Sequence, residues 1–278
     1  MKITPLDGRI GAEVTEFDLA SAWTESPEQL ESIRDAFRTR HLLLFRDTGL
    51  EVKDQIRLME ALGLMPDEWT NGEKYGLLSN QRAVAPNDGQ HNAYLYHSDL
   101  MWKEQPISSI SLYALVIPEG PSPTLFASGV AAAASLPDNL RARIAGREAL
   151  FLIDFTGGDT RYREETASAE APRATQQLLY DDPMSGQTSL VVDSLFMDKV
   201  VDMEFDDSEA LRAELHSYLY DPANVYRHDW TVGDLVIWNN VALQHSRPPL
   251  PETGERTHRR VSGTIDRGTT AWEASFRD

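Results

Sequence analysis

The chain has 278 residues, enough to bury a sizeable core within one domain. It contains no cysteine, which excludes disulfides and thiolate-ligated metals, so a metal site must be built from His, Asp and Glu, ligands that suit iron(II) or manganese and less often zinc. With 44 acidic against 26 basic side chains the net charge is −18, a balance that argues against nucleic acid as a partner, since that binding rests on Lys and Arg neutralising phosphates.

In chain order, the first eight residues, Met1 to Gly8, hold no apolar run of signal-peptide length. No later stretch of about 18 apolar residues follows, so no membrane span is expected and a cytoplasmic location is the default. Leu30, Ile33 and Phe37 are spaced to share one face and predict a helix over 27–40, with Ser26 as cap and Pro27 in the first turn. The apolar run Leu42-Leu43-Leu44-Phe45 predicts a buried strand, and a second helix is expected from Val52 to Leu62. Residues 64–93, punctuated by Pro66, Gly72, Gly76, Pro86 and Gly89, read as an irregular excursion beside an active site. A strand is expected over Ile107 to Ile117, a helix over Pro137 to Arg147, and a polar lid or excursion over 157–187. A helix over Ser208 to Tyr218, a strand over Asp234 to Trp238 and a last strand over Val261 to Ile265 complete the pass. With no repeat and no linker, one domain spanning 1–278 is the simplest reading, of mixed α and β with a β core.

Three places carry chemistry. His97-Ser98-Asp99 sets two ligand types two residues apart, and on a strand those side chains share a face. Taken alone the triplet reads as a surface turn. His245, a loop or core histidine by itself, would complete a set of two histidines and one carboxylate, which leaves coordination positions open as oxygen-activating iron(II) enzymes require. The third place is the basic segment Arg256-Thr257-His258-Arg259-Arg260 in an otherwise acidic chain. Arg256 follows His245 by eleven residues and Arg260 stands four further on. A 2-oxoglutarate molecule chelating iron needs a cation for its far carboxylate, and Arg offers a permanently charged, bidentate fork. A solvated basic turn is the other reading of this segment, and Arg259 suits it best.

The order and spacing of these places resemble the taurine dioxygenase (TauD/TfdA) family of 2-oxoglutarate-dependent oxygenases over nearly the whole chain. Ile3 to Leu6 and Ile10 to Val14 resemble the family's opening strand pair, and His41 to Asp47 its next strand. His97-Ser98-Asp99, followed by Pro106 and Ser111-Leu112-Tyr113-Ala114, resembles the proximal iron motif. Trp238-Asn239-Asn240 with Gln244-His245 resembles the distal one. The resemblance implies His97, Asp99 and His245 as iron(II) ligands, Thr124 and Arg256 as contacts for 2-oxoglutarate, and Arg260 as a contact for co-substrate or an acidic substrate. Two departures stand out. Pro121-Ser122-Pro123 precedes Thr124 where the family carries Gly-Gly-Asp, and Glu68-Trp69-Thr70-Asn71 lacks the histidine used for a sulfonate, so taurine is a poor candidate substrate.

What the resemblance implies for the fold is a double-stranded β-helix, a jelly roll that is mainly β with flanking helices (α+β). For chemistry it implies oxidation of an unactivated C–H bond of a small organic molecule by oxygen, with release of succinate and carbon dioxide. Asp99 argues against halogenation, which needs a small residue there. Hydroxylation is the first reading, and desaturation or epoxidation in a biosynthetic pathway the second. A zinc enzyme on the same ligands, or a non-catalytic binding module, is the rival class. Tyr94, Tyr96, Trp69, Trp102 and Phe126 could line an aromatic substrate pocket or belong to the core. Asn240 could orient a ligand histidine or act as a turn residue. A homodimer or homotetramer would match the family.

Overall fold

The structure, a computed structural model, describes residues 1–6, 8–17, 26–67, 72–81, 83–85, 93–154, 163–251 and 254–265. The N-terminal part runs β1 (Lys2–Pro5), β2 (Ala12–Thr15), α1 (Pro27–Arg40), β3 (Leu42–Phe45), α2 (Val52–Ala61), β4 (Leu64–Pro66) and β5 (Gly76–Ser79). The middle holds β6 (Tyr94–His97), β7 (Ser109–Val116), β8 (Thr124–Ser128), α3 (Gly129–Ser135), α4 (Asp138–Ile144), β9 (Glu148–Leu152), β10 (Arg173–Gln177) and β11 (Leu179–Asp181). Then come β12 (Thr188–Leu190), β13 (Met197–Val200), α5 (Phe205–Leu219), β14 (Val225–His228), β15 (Leu235–Asn239), β16 (Leu243–Arg247) and β17 (Thr257–Ile265).

The large sheet has the order β1-β2-β3-β15-β7-β17-β4, with β5 also paired to β17. The smaller sheet has the order β14-β8-β16-β6. Every pairing is antiparallel except β2 with β3. Side chains alternate across the large sheet, and both of its faces are covered. Leu42, Leu44, Leu112, Val236 and Trp238 pack inward against Phe126 and Leu243 of the smaller sheet. Leu43, Phe45, Tyr113, Leu235, Ile237 and Val261 pack outward against Ile33 and Phe37 of α1 and Leu58 and Met59 of α2. That double burial explains why β3 is written as an unbroken apolar run rather than an alternating one. On the far side of the smaller sheet, Leu211, Leu215 and Leu219 of α5 join residues of α3, α4, β9 and β13 in a third cluster. Two facing antiparallel sheets with helices outside form the jelly-roll core. Among the described residues, no helix is long and apolar enough to cross a membrane.

The helices expected over 27–40 and 52–62 are α1 and α2, and the strands expected over 42–45, 107–117 and 234–238 are β3, β7 and β15. Pro27 sits in the first turn of α1, but the Ser26 side chain makes no capping bond. Residues 64–93 are not irregular throughout. β4 and β5 lie there, paired to opposite stretches of β17, because the long last strand needs a partner along both halves. The expected lid at 157–187 likewise contains β10 and β11; its residues 157–162 lie outside the described residues. β17 begins at Thr257 rather than Val261, so the basic segment from Thr257 onward is strand and not turn, with Arg256 just before it.

Candidate active site

The strands of the smaller sheet bring the two histidines together. His245 on β16 stands directly opposite His97 on β6, with ring centroids 4.3 Å apart. The register then slips, since Arg247 pairs with Tyr94, so β6 carries one extra residue there. The slip puts Tyr94 and His97, three apart, on the same side, with their rings 6.0 Å apart. Tyr96 turns the other way and stacks on Tyr220 at 4.4 Å.

Asp99 is not on the strand. It opens the turn after β6, where Leu100 has φ 59°, and Asn240 holds that turn from both sides. The Asp99 backbone N–H donates to Asn240 Oδ1 at 2.9 Å, and Asn240 Nδ2 donates to the carbonyls of Asp99 at 2.9 Å and Ile107 at 3.1 Å. Asn240 therefore positions the carboxylate rather than a histidine. Asp99 Oδ1 comes within 3.0 Å of His97 Nε2 and 3.7 Å of His245 Nε2, while Asp99 Oδ2 is taken by Arg260 Nη1 at 2.7 Å. Ligand atoms of the three residues lie within 4.8 Å of one another.

The donor set fits a divalent metal. His97 Nδ1 lies 2.7 Å from the Leu95 carbonyl, so Nδ1 carries a proton and Nε2 is the ring nitrogen turned toward Asp99. Burial lowers the His97 pKa, but the hydrogen bond and charge of Asp99, with the Leu95 carbonyl, outweigh it and leave it raised. Burial, then His97 and Arg260, drive His245 down to about 3 against the pull of Asp99, so it stays neutral. Burial alone would raise the Asp99 carboxyl, yet Arg260 foremost, with His97 and His245, holds it far below the usual carboxylate range. Two imidazole nitrogens and one carboxylate oxygen brought together, with no thiolate in the chain, make a donor set that suits an open iron(II) site.

The same cavity, about 200 Å³, is lined by His97, Asp99, His245, Thr124, Arg256 and Arg260. Alternation along β17 and the residue before it explains the arginines: Arg256 and Arg260 turn into the cavity and His258 is buried. Arg259 turns the other way and is buried, not solvated. It donates to Gln55 Oε1 and the Leu50 carbonyl, each at 2.7 Å, and lies over the Tyr113 ring. Arg256 Nη2 reaches Thr124 Oγ1 at 3.4 Å, and Asn80 brackets the Arg256 backbone, accepting its N–H at 2.9 Å. Thr124 opens β8 and is 4% exposed, so the prolines before it lead into the strand without displacing it.

Of the aromatic residues expected near the substrate, Tyr94 lines the cavity. Tyr96 and Trp102 do not, since Trp102 packs on Phe196 at 4.4 Å, and Phe126 belongs to the core between the sheets. Trp69 lies outside the described residues. Sequence reasoning missed Asn80, Leu78, Leu112, Leu250 and Arg247, which also line the cavity. Arg247 was findable, because it stands two residues after His245 on a strand and lies over the Tyr94 ring. Asn80 carries no signal beyond that of an ordinary turn residue.

A family model described as "Taurine catabolism dioxygenase TauD, TfdA family" matches residues 2–262. The chain belongs to this family. Among TauD/TfdA relatives, (S)-phenoxypropionate/alpha-ketoglutarate-dioxygenase of Sphingobium herbicidovorans is 25% identical, over 94% of each chain. Pentalenolactone F synthase of Streptomyces avermitilis is also 25% identical, over 98% of this chain and 97% of its own. The crystal structure of AAD-2 in complex with Mn(II) and N-oxalylglycine shares the fold, with a TM-score of 0.80 at 22% identity over 95% of this chain and 98% of its own. As a TauD/TfdA protein the chain is an alpha-ketoglutarate-dependent dioxygenase, an oxidoreductase that uses 2-oxoglutarate and oxygen.

Proposed function

We propose that His97, Asp99 and His245 hold iron(II), and that Arg256 with Thr124 binds the far carboxylate of 2-oxoglutarate. The substrate is a small organic molecule oxidised at an unactivated C–H bond beside Tyr94, Leu250 and Arg247, with hydroxylation as the outcome. The observation that supports this is the convergence of three ligand atoms within 4.8 Å in the same cavity as the buried Arg256–Thr124 pair. Bound there, iron(II) supplies the oxygen chemistry that couples 2-oxoglutarate decarboxylation to C–H oxidation. The chain's own work is to place ligands and keep water out. Asn240 fixes the Asp99 turn, and Arg260 occupies Asp99 Oδ2 so that only Oδ1 faces the histidines. Leu78, Leu112 and Leu250 supply apolar wall.

The charged and aromatic pair Arg247–Tyr94 favours a substrate with an acidic group on an aromatic or apolar body, which the phenoxypropionate relative also suggests. Succinate release is the test, with iron(II), oxygen and 2-oxoglutarate supplied over a panel of phenoxyalkanoic and other organic acids. Substrate-dependent succinate with a product one oxygen heavier supports hydroxylation, and loss of two hydrogens moves desaturation forward. Turnover that persists without oxygen would favour the zinc-enzyme alternative.

A further inference from the structure

Thr124 Oγ1 receives two hydrogen bonds from groups that can only donate. Trp230 Nε1 gives one at 2.9 Å and Arg256 Nη2 the other at 3.4 Å. A hydroxyl accepts through two lone pairs and donates one proton. Both accepting directions are therefore in use, and among the described residues the Thr124 proton is donated to none. Thr124 lines the cavity.

Trp230 is well fixed for this task. It lies between β14 and β15, is 7% exposed, and makes edge contacts with two buried imidazoles. The His228 ring is at 4.5 Å and 87°, and the His258 ring at 4.5 Å and 73°. His228 Nε2 is in turn 3.2 Å from Asp234 Oδ2, which Arg46 holds at 2.7 Å. The indole has no hydrogen-bonding function except donation, and it brings no charge that would compete with Arg256 for an anion.

We propose that Trp230 is a positioning residue for the co-substrate: its indole N–H occupies the Thr124 hydroxyl so that the Thr124 proton is delivered to the far carboxylate of 2-oxoglutarate. This rests on the proposed 2-oxoglutarate site. Trp230 touches the threonine and not the ligand. Replacing it leaves Arg256 in place but lets the hydroxyl turn its proton elsewhere.

The test is anaerobic calorimetric titration of the manganese(II)-loaded protein with 2-oxoglutarate, and with pyruvate, which lacks the far carboxylate. Trp230→Phe keeps the ring and removes the N–H. It is expected to weaken 2-oxoglutarate about five- to tenfold, the net scale of one ordinary hydrogen bond, and to leave pyruvate unchanged. In a Thr124→Val background the same change should add nothing further, whereas in Thr124→Ser, which keeps the hydroxyl, the loss should persist. Undiminished 2-oxoglutarate affinity in Trp230→Phe overturns the proposal, as does an equal loss for pyruvate or an equal loss in the Thr124→Val background. Should Trp230→Phe fail to fold, Thr124→Val and Thr124→Ser carry the test: equal 2-oxoglutarate affinity in the two overturns it. If the metal-loaded wild type binds no 2-oxoglutarate, the underlying site reading falls and takes this proposal with it.

Discussion

At the scale of single residues, Asn240 and Arg260 show how much of a ligand set is held from outside it. Asn240 is fully buried and makes two hydrogen bonds to the Asp99 backbone and one to the Ile107 carbonyl, so Asn240→Ala removes the clamp while leaving all three ligands in place. Iron(II) affinity in that variant should fall about 10- to 100-fold, as loss of an outer partner generally does, and a metal titration reads it. Unchanged affinity would show that the turn holds itself. Arg256→Lys keeps the charge but loses the planar fork, so the dissociation constant for 2-oxoglutarate should rise by about tenfold or more with metal affinity intact. The ligand residues could be picked out by type and spacing, but the geometry of Asp99 could not. An H-x-D triplet suggests two side chains on one strand, whereas here the strand ends at His97 and a residue 141 positions away shapes the rest.

At the scale of elements, β17 and the residue before it divide their duties by alternation. Arg256 and Arg260 serve the cavity, and Arg259 ties the strand to α2 and the loop before it. Arg259→Ala should therefore lower unfolding stability by about 2–4 kcal/mol, the cost of losing two charge-assisted bonds from a buried site, with 2-oxoglutarate affinity retained. Arg260→Ala should instead weaken metal binding, because it strips the cation from Asp99 Oδ2. Urea denaturation and ligand titration on the two variants decide this, and parallel losses in both would contradict the division. The helices and the long buried strands were legible because their apolar spacing runs over many residues, as in α1 and β3. β4 and β5 were not. They have three and four residues, carry Pro66 and Gly76, and exist because β17 needs partners, which is information held far along the chain. The slip in β6 was equally hidden, and it decides which of Tyr94 and Tyr96 faces the cavity.

At the scale of the whole molecule, buried neutral histidines make the fold sensitive to acid. Burial lowers the pKa of His41 and His228, and burial followed by Arg256 holds that of His258 well below 6.5. In the unfolded chain these groups take up protons near 6.5, while the native state refuses them. Their contribution is full above that pH and is lost as the pH falls below it. Denaturation midpoints should thus decline between about pH 7 and pH 5, and His258→Phe should flatten the decline. A flat profile in the wild type would contradict the assignment of these rings as neutral. The jelly roll itself was legible only through resemblance to TauD/TfdA proteins. Pattern alone supports mixed α and β with a β core, because which strands face one another is set by contacts such as Phe126 on Trp238, not by local periodicity.

The central claim, that iron(II) and 2-oxoglutarate meet in the cavity between His97, His245 and Arg256, is tested most directly by anaerobic titration of the iron(II)-loaded protein with 2-oxoglutarate. Chelation of the metal by the keto acid gives a visible charge-transfer band. The account predicts that the band appears, is lost in His97→Ala, and needs higher co-substrate concentration in Arg256→Ala. Protein shown to hold iron that develops no band would contradict it.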